Sequence, residues 1–422
     1  MDADLGNADS ARIAGMVREI SKIGRDPRGG WTRLAFTPEE EAAHEQTGRW
    51  LEDLGLKVER DPVGNTFARK EGARSDLAPV VVGSHLDTVP QGGRFDGVAG
   101  VVAMVELFHL LDAADQMEHP LVGAVFRAEE GARFGEPSIG SKCLVGYLDD
   151  SDLHRLHDEE GTTAAEAMSS IGFHADRVAD ARWERTDAAA FLELHVEQGR
   201  ILESNNAAVG LVDVISGSSR LRVDVTGRAG HSGANPMSLR SDALAAASQL
   251  VLAVESLAKD PFHRGVRTTV GWLRVMPNNP TTIPGRVAMM VDVRDVDSDR
   301  QREVSAEIVR RASEIAGARG VEIATESVSD TSPVVLSMWM REAMRDACTD
   351  TGTSFRVLTS GAGHDAQVIA RLCPAGMIFV PSSGGISHNP DEWTSPEAIA
   401  RGVDVLARSL FRIDGLLSSQ WS

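Results

Sequence analysis

Apolar residues at Ile13, Met16, Val17, Ile20 and Ile23 fall on one face at helical spacing, which predicts an amphipathic helix over residues 10–23 capped by Asp9 or Ser10. Further along, the spacing changes. APVVVGSHLD, LVGAVFRAEE, AFLELHVEQ and GMIFVPSS are short apolar runs, each too brief for a helix and each ending in polar residues. They read as buried strands of a mostly parallel sheet. Helical segments at 97–113 and 395–412 alternate with them, so the pattern predicts an α/β fold.

From about residue 214 to 328 the pattern differs. A strand alternating in Leu221, Val223 and Val225 precedes a helix carrying Leu239, Ala243, Leu250, Val254 and Leu257. The strands VRTTVGWLRVM and RVAMMVDVR follow, then a helix with Val304, Ile308 and Ile315 and a strand around GVEIAT. The order β-α-β-β-α-β predicts a self-contained ferredoxin-like α+β unit inserted into the first domain. The expected organisation is therefore residues 1–213 and 329–422 as two parts of one α/β domain, with 214–328 as the insertion. No internal repeat or low-complexity tract interrupts it.

Composition narrows the partners. The 422 residues carry 43 Lys and Arg against 62 Asp and Glu, a net charge of −19, which opposes binding to a phosphate backbone. Nucleic acid is not expected. The opening MDADLGNADSARIAGMVREI lacks the cationic and apolar regions of a signal peptide, and no window approaches the roughly 20 apolar residues of a membrane span. No membrane association and a cytoplasmic location are expected. Cys143, Cys348 and Cys373 match neither a zinc knuckle nor a redox pair and read as small buried side chains.

Ligands of open α/β sheets bind beyond the carboxyl ends of the strands. Here those ends carry His85 and Asp87, Glu129 and Glu130, His195 and, after a short loop, His388; Asp96 lies in the glycine-bracketed GGRFDGVAG. One histidine or aspartate at a strand end is ordinarily a cap or a surface group. Three histidines and several carboxylates at one edge, without thiolate, instead suit zinc, manganese, nickel or cobalt in a hydrolytic site. Five candidate ligands exceed the needs of one open zinc position but suit two metals sharing a carboxylate. The adjacent Glu129 and Glu130 point different ways, so one can bind metal while its neighbour serves as the proton shuttle. His154, His157, His174 and His263 sit in polar, loop-like surroundings and read as surface residues.

At these residues the sequence resembles the M20 family of dinuclear zinc amidohydrolases and peptidases, in its carbamoylase branch of N-carbamoyl-L-amino-acid hydrolases, β-ureidopropionases and allantoate amidohydrolases. The matching segments are GSHLDTVPQGGRFDGVAGV, EEGARFG with GSKCLVG, ELHVEQGRILE, HSGANPM, TIPGRVAMMVDVR, SGAGHDA and PSSGGISHNPDEWT. The resemblance implies two divalent metal ions per subunit, with His85 and His195 serving one, Glu130 and His388 the other, and Asp96 bridging both. It implies Glu129 as general base and Asp87 as the carboxylate orienting His85. It makes the α/β domain catalytic and the insertion a homodimerisation and lid domain. His231 would then reach the oxyanion from the partner subunit, and Arg294 would grip the carboxylate of a small substrate. Gln198 would face the ureido group, with Gly361, Gly363 and His364 lining the same pocket.

Two departures stand out. Where the branch usually reads Asn-x-Ile-Pro-Gly, this chain has Thr281-Thr282-Ile283-Pro284-Gly285, replacing a substrate-binding amide by a shorter hydroxyl; the familiar His-Ala-Gly-Thr-Thr-Pro becomes His231-Ser232-Gly233-Ala234-Asn235-Pro236. Asn278 and Asn279 lie close enough in sequence to stand in for the amide. The resulting expectation is a metal-dependent amidohydrolase of N-carbamoyl amino acids or related ureido acids. Its rivals are an N-acyl-amino-acid deacylase or dipeptidase on the same scaffold, and a catalytically silent binding module.

Overall fold

The computed structural model describes residues 6–112 and 117–419. Residue 113, the end of one expected helix, and the opening MDADL lie outside the described residues. The chain divides into two units, Met1–Asp213 with Val335–Ser422, and Val214–Val334.

The first unit is built on a nine-stranded sheet. Its strands are β1 (Lys57–Arg60), β2 (Thr66–Lys70), β3 (Val80–His85), β4 (Leu121–Phe126), β5 (Ala190–Val196), β6 (Val209–Ile215), β13 (Val334–Val335), β14 (Phe355–Ser360) and β15 (Ala375–Val380). They lie in the order β1-β2-β4-β3-β5-β15-β6-β13, with β14 also beside β6. The four apolar runs are β3, β4, β5 and β15; they neighbour one another, pair in parallel and are buried along their whole length. The sheet is less uniform than expected, since β1, β2 and β6 join it antiparallel.

Helices cover this core. Val98–Asp112 is apolar around almost its whole circumference, as a helix buried on all sides must be, and packs on β3 and β5. Each Val or Leu it takes fully out of water contributes on the order of 1.5–3 kcal/mol. Pro396–Ser419 is amphipathic, turning Ile399, Val403, Leu406, Leu410 and Ile413 inward. The first helix runs Ser10–Ile20, with the Asp9 carboxylate accepting from the backbone N–H groups of Ala11 and Arg12. It stops short of Ile23 because Ser21 Oγ turns back onto the Val17 carbonyl and Gly24 takes a left-handed φ of 72°.

The second unit contains β7 (Gly217–Thr226), β8 (Gly230–His231), β9 (Arg267–Met276), β10 (Thr282–Ile283), β11 (Arg286–Asp295) and β12 (Glu322–Thr331). Four of them form an antiparallel sheet in the order β12-β7-β11-β9, while β8 and β10 make a separate two-stranded ribbon. Helices Ala243–Lys259 and Ser298–Arg319 share an apolar core with this sheet through Val223, Val225, Leu250, Val254, Val291, Val304 and Ile308. The strand around GVEIAT extends to Thr331, which carries this unit past residue 328. Leu239 is not part of the first helix. It sits exposed on a short turn, Met237–Leu239, because the Asp242 carboxylate caps the N–H groups of Leu244 and Ala245 and starts the helix after it.

All three cysteines are buried and free. His154, His157 and His174 are exposed and His263 is half-buried. Among the described residues no helix is long and apolar enough to cross a membrane.

Candidate metal centre

Because β4, β3, β5 and β15 are adjacent and parallel, their carboxyl ends share one edge, and each delivers a polar residue there. His85 closes β3, Glu129 and Glu130 follow β4, His195 is the penultimate residue of β5, and His388 lies in the loop after β15. Asp96 comes from the loop between β3 and the buried helix. Gly97, at φ 66°, lets that loop approach: a Cβ there would lie 2.5 Å from His85 Cε1.

Beside a third group of Glu193, His195 and His364, two groups of donors meet at this edge, His85 with Asp96 and His195, and Asp96 with Glu130 and His388. Asp96 belongs to both. Its Oδ1 lies 3.2 Å from His195 Nε2 and 3.7 Å from His85 Nε2, while its Oδ2 lies 3.4 Å from His388 Nε2. His388 Nε2 is also 3.2 Å from Glu130 Oε2, and Glu129 Oε2 is 3.8 Å from His85 Nε2. The far nitrogens of two rings are engaged elsewhere, His195 Nδ1 with the Val196 carbonyl at 3.0 Å and His85 Nδ1 with Asp87 Oδ1 at 3.2 Å. This leaves both Nε2 atoms turned to the centre, 3.4 Å apart.

The electrostatics ask for cations. Burial works against charge on His388, yet the neighbouring Glu130 and Asp96 carboxylates push its imidazole up to about 11. Burial likewise opposes charge on His85 and His195, but the facing carboxylates raise both. Asp96 is held well below the usual range by His195 and His388 despite its burial. Glu129 is raised well above it by burial, with Glu130, Asp365 and Asp87 adding to the effect against His85. The buried Glu130 Oε1 has no hydrogen-bond partner. Inward-facing imidazole nitrogens, an orphaned carboxylate oxygen and an aspartate turned to both groups form a donor set that fits divalent metal.

Other side chains hold these in place. Besides facing His85, the Asp87 carboxylate accepts the backbone N–H groups of Glu129 at 2.9 Å and Glu130 at 3.0 Å, so it joins the ends of two strands. Gln198, at φ 57°, donates from Nε2 to Asp96 Oδ2 at 2.7 Å and leaves its buried Oε1 unpartnered. His364 lies edge-on to His195, 4.6 Å between ring centres, with its Nε2 2.9 Å from Ser360 Oγ. Gly361 and Gly363 form the half-buried turn before it.

Four further residues escaped the sequence reading. Glu193 is buried two positions before His195, accepting from Ser84 Oγ and from Ala366 N–H, both at 3.0 Å. Its signal was an acid inside an otherwise apolar strand. Asp365 accepts from Ser141 Oγ at 2.6 Å and is pushed by burial up to about 8. Ser387 and Glu392 surround Asp96 from the His388 loop.

His231, Thr281 and Arg294 belong to the second unit. The ribbon pairs His231 with Thr282, and Ser232 N–H donates to the Thr281 carbonyl at 3.0 Å, so the two departing motifs meet there. His231 is exposed, its Nδ1 accepting from Gly233 N–H at 3.1 Å. Asn279 Oδ1 accepts from both Thr281 N–H at 3.0 Å and Thr281 Oγ1 at 2.8 Å. Arg294 is half-buried on β11, a central strand, with its Nε 2.7 Å from Asp292 Oδ2.

Comparison with known proteins supplies the context for this geometry. Residues 81–412 match the family model described as peptidase family M20/M25/M40. An N-carbamoyl-L-amino acid amidohydrolase of Geobacillus stearothermophilus is 39% identical, the alignment covering 95% of this chain and 98% of that protein. An allantoate amidohydrolase of Bacillus subtilis (strain 168) is 34% identical over 95% of this chain and 97% of its own. Among solved structures, an amidase of the hydantoinase/carbamoylase family from Burkholderia vietnamiensis superposes with a TM-score of 0.90 at 35% identity, covering 96% of this chain and 98% of that one.

Proposed function

The chain belongs to peptidase family M20/M25/M40, in its carbamoylase branch, and from that premise we propose that it hydrolyses the ureido C–N bond of an N-carbamoyl amino acid or related ureido acid with two divalent metal ions per subunit. It is an amidohydrolase acting on a non-peptide C–N bond of a linear amide. The observation that carries the metal part of the proposal is Asp96, one oxygen toward His85 and His195 and the other toward His388. Zinc is the first choice; manganese, cobalt and nickel suit the same donors.

His85, His195, Glu130, His388 and Asp96 would hold the metals. When bound, the metals would supply Lewis acidity toward the scissile carbonyl and make the attacking water more acidic. Glu129 Oε2, close to His85 but outside both donor groups, takes a proton from the attacking water and passes it to the leaving nitrogen. Burial raises its pKa above the usual carboxylate range, which favours its taking up a proton. C–N cleavage releases the free amine and a carbamate, which breaks down to ammonia and carbon dioxide. Asp87 keeps the His85 Nε2 lone pair inward by accepting from Nδ1–H.

In the same proposal the second unit forms a homodimer and acts as a lid, and the enzyme works in the cytoplasm. His231 from the partner chain donates to the oxyanion, and Arg294 with Thr281 binds the substrate carboxylate. Gln198, His364, Gly361 and Gly363 surround the ureido group. The test is a hydrolysis screen of N-carbamoyl, N-acetyl and dipeptide substrates after loading with zinc, manganese or cobalt. Turnover confined to ureido substrates is expected; a preference for acetyl or peptide substrates would refute the reading.

A further inference from the structure

Glu392 is buried to 1% exposure in a loop whose other chemistry-bearing residue, His388, is about half exposed at its side chain. Its Oε1 accepts the backbone N–H of Phe95 at 2.7 Å and of Asp96 at 3.0 Å. Its Oε2 lies 2.7 Å from Ser387 Oγ, and that hydroxyl is itself 2.8 Å from Asp96 Oδ2. One carboxylate thus grips the backbone of one candidate ligand and the side chain next to another, across almost three hundred residues of chain.

The surroundings are shaped to admit it. Gly93 lies flat against Glu392: a Cβ there would come within 2.2 Å of Oε1 and 2.5 Å of the Glu392 Cβ. Beside it, Trp393 meets Phe95 edge-on with ring centres 5.3 Å apart, and the Arg94 guanidinium sits 5.0 Å from the Trp31 ring and 5.5 Å from the Trp393 ring. His388 stands in the left-handed region at φ 54°, and Gly384 and Gly385 also have positive φ, so beyond the short 3-10 turn Ser383–Gly385 this loop has no regular structure to fix its position. Hydrogen bonds and stacking must do so.

We propose that Glu392, acting with Ser387, is a positioning residue that locks Asp96 and His388 into mutual register and so builds the second metal position. This rests on the two-metal reading above. It differs from the role of Asp87, which joins the ends of β3 and β4, because Glu392 ties the Asp96 loop to the His388 loop.

The experiment titrates metal-stripped wild type, Glu392→Ala, Glu392→Gln and Ser387→Ala with zinc ion against a chelating indicator, alongside activity and circular dichroism. Wild type should bind two ions per chain. Glu392→Ala should bind one of them about 10–100-fold more weakly. Glu392→Gln should stay near wild type, since its amide oxygen still accepts both N–H groups and its nitrogen can donate to Ser387 Oγ. Ser387→Ala, which loses the hydroxyl between Glu392 Oε2 and Asp96 Oδ2 but keeps the two backbone contacts of Glu392, should weaken the same ion roughly 2–10-fold, and it carries the test if Glu392→Ala does not fold. Wild-type zinc affinity in the alanine variants would overturn the clasp and leave the two-metal reading standing. Equal loss in the glutamine and alanine variants would also overturn it, by assigning the effect to charge. A wild-type chain that binds no zinc would overturn both.

Discussion

The two units treat their chemistry-bearing residues in opposite ways. At the sheet edge of the first, His85, Asp96, Glu129 and His195 are buried, and Asp96 is gripped by Gln198 and Ser387, side chains drawn from elsewhere in the sequence. In the second, His231 on the two-stranded ribbon and Thr281 just before its other strand are exposed, and Arg294 is half-buried. The contrast has a physical reason. Buried like charges tolerate little displacement, so a cluster of carboxylates and imidazoles must be held by many partners at once. An exposed ribbon residue can change without disturbing a core. Both departures from the branch's usual motifs lie beside the ribbon, in the second unit.

The largest effect should come from the first unit. Glu129→Gln removes a base without removing a ligand, so kcat should fall about 10²–10⁴-fold while metal content stays at the wild-type level. Near-normal turnover would break the comparison at its centre. Arg294→Ala should act more selectively, raising KM about 10–100-fold for substrates with a free carboxylate, the scale of one lost charge-assisted hydrogen-bond pair. An ester-capped substrate should be affected far less; equal damage to both would argue against the clamp. Smallest is Thr281→Asn. It restores the reach of an amide at an exposed position, and should shift the ranking of substrates by a few-fold, about 1 kcal/mol of differential binding, with no change in melting temperature. A large stability loss there would mean that the contact with Asn279 matters to the fold, contrary to the division drawn between the units.

Legibility followed the range of the interactions. Strands β3, β4, β5 and β15 were readable because burial on both faces leaves an unbroken apolar run, and the polar residues ending those runs were readable with them. The ferredoxin-like element order was equally local. Leu239 was misassigned because its apolar spacing continues the helix beyond a start that the Asp242 cap sets. Glu392 went unremarked beside His388 because nothing in DEWT announces a contact with Phe95 and Asp96.

Sequence by itself determined which elements form, where the candidate ligands stand on them, and that they contain imidazole and carboxylate without thiolate. Those are consequences of side-chain period and residue type, properties written along the chain. Tertiary structure decided the rest: that Asp96 turns one oxygen to each histidine group, that Asp87 binds the ends of two strands, and that Glu392 meets the metal loop. Each of these depends on strand order and loop path, and contacts a few ångströms long between residues from about ten to almost three hundred positions apart leave no periodic trace in a sequence.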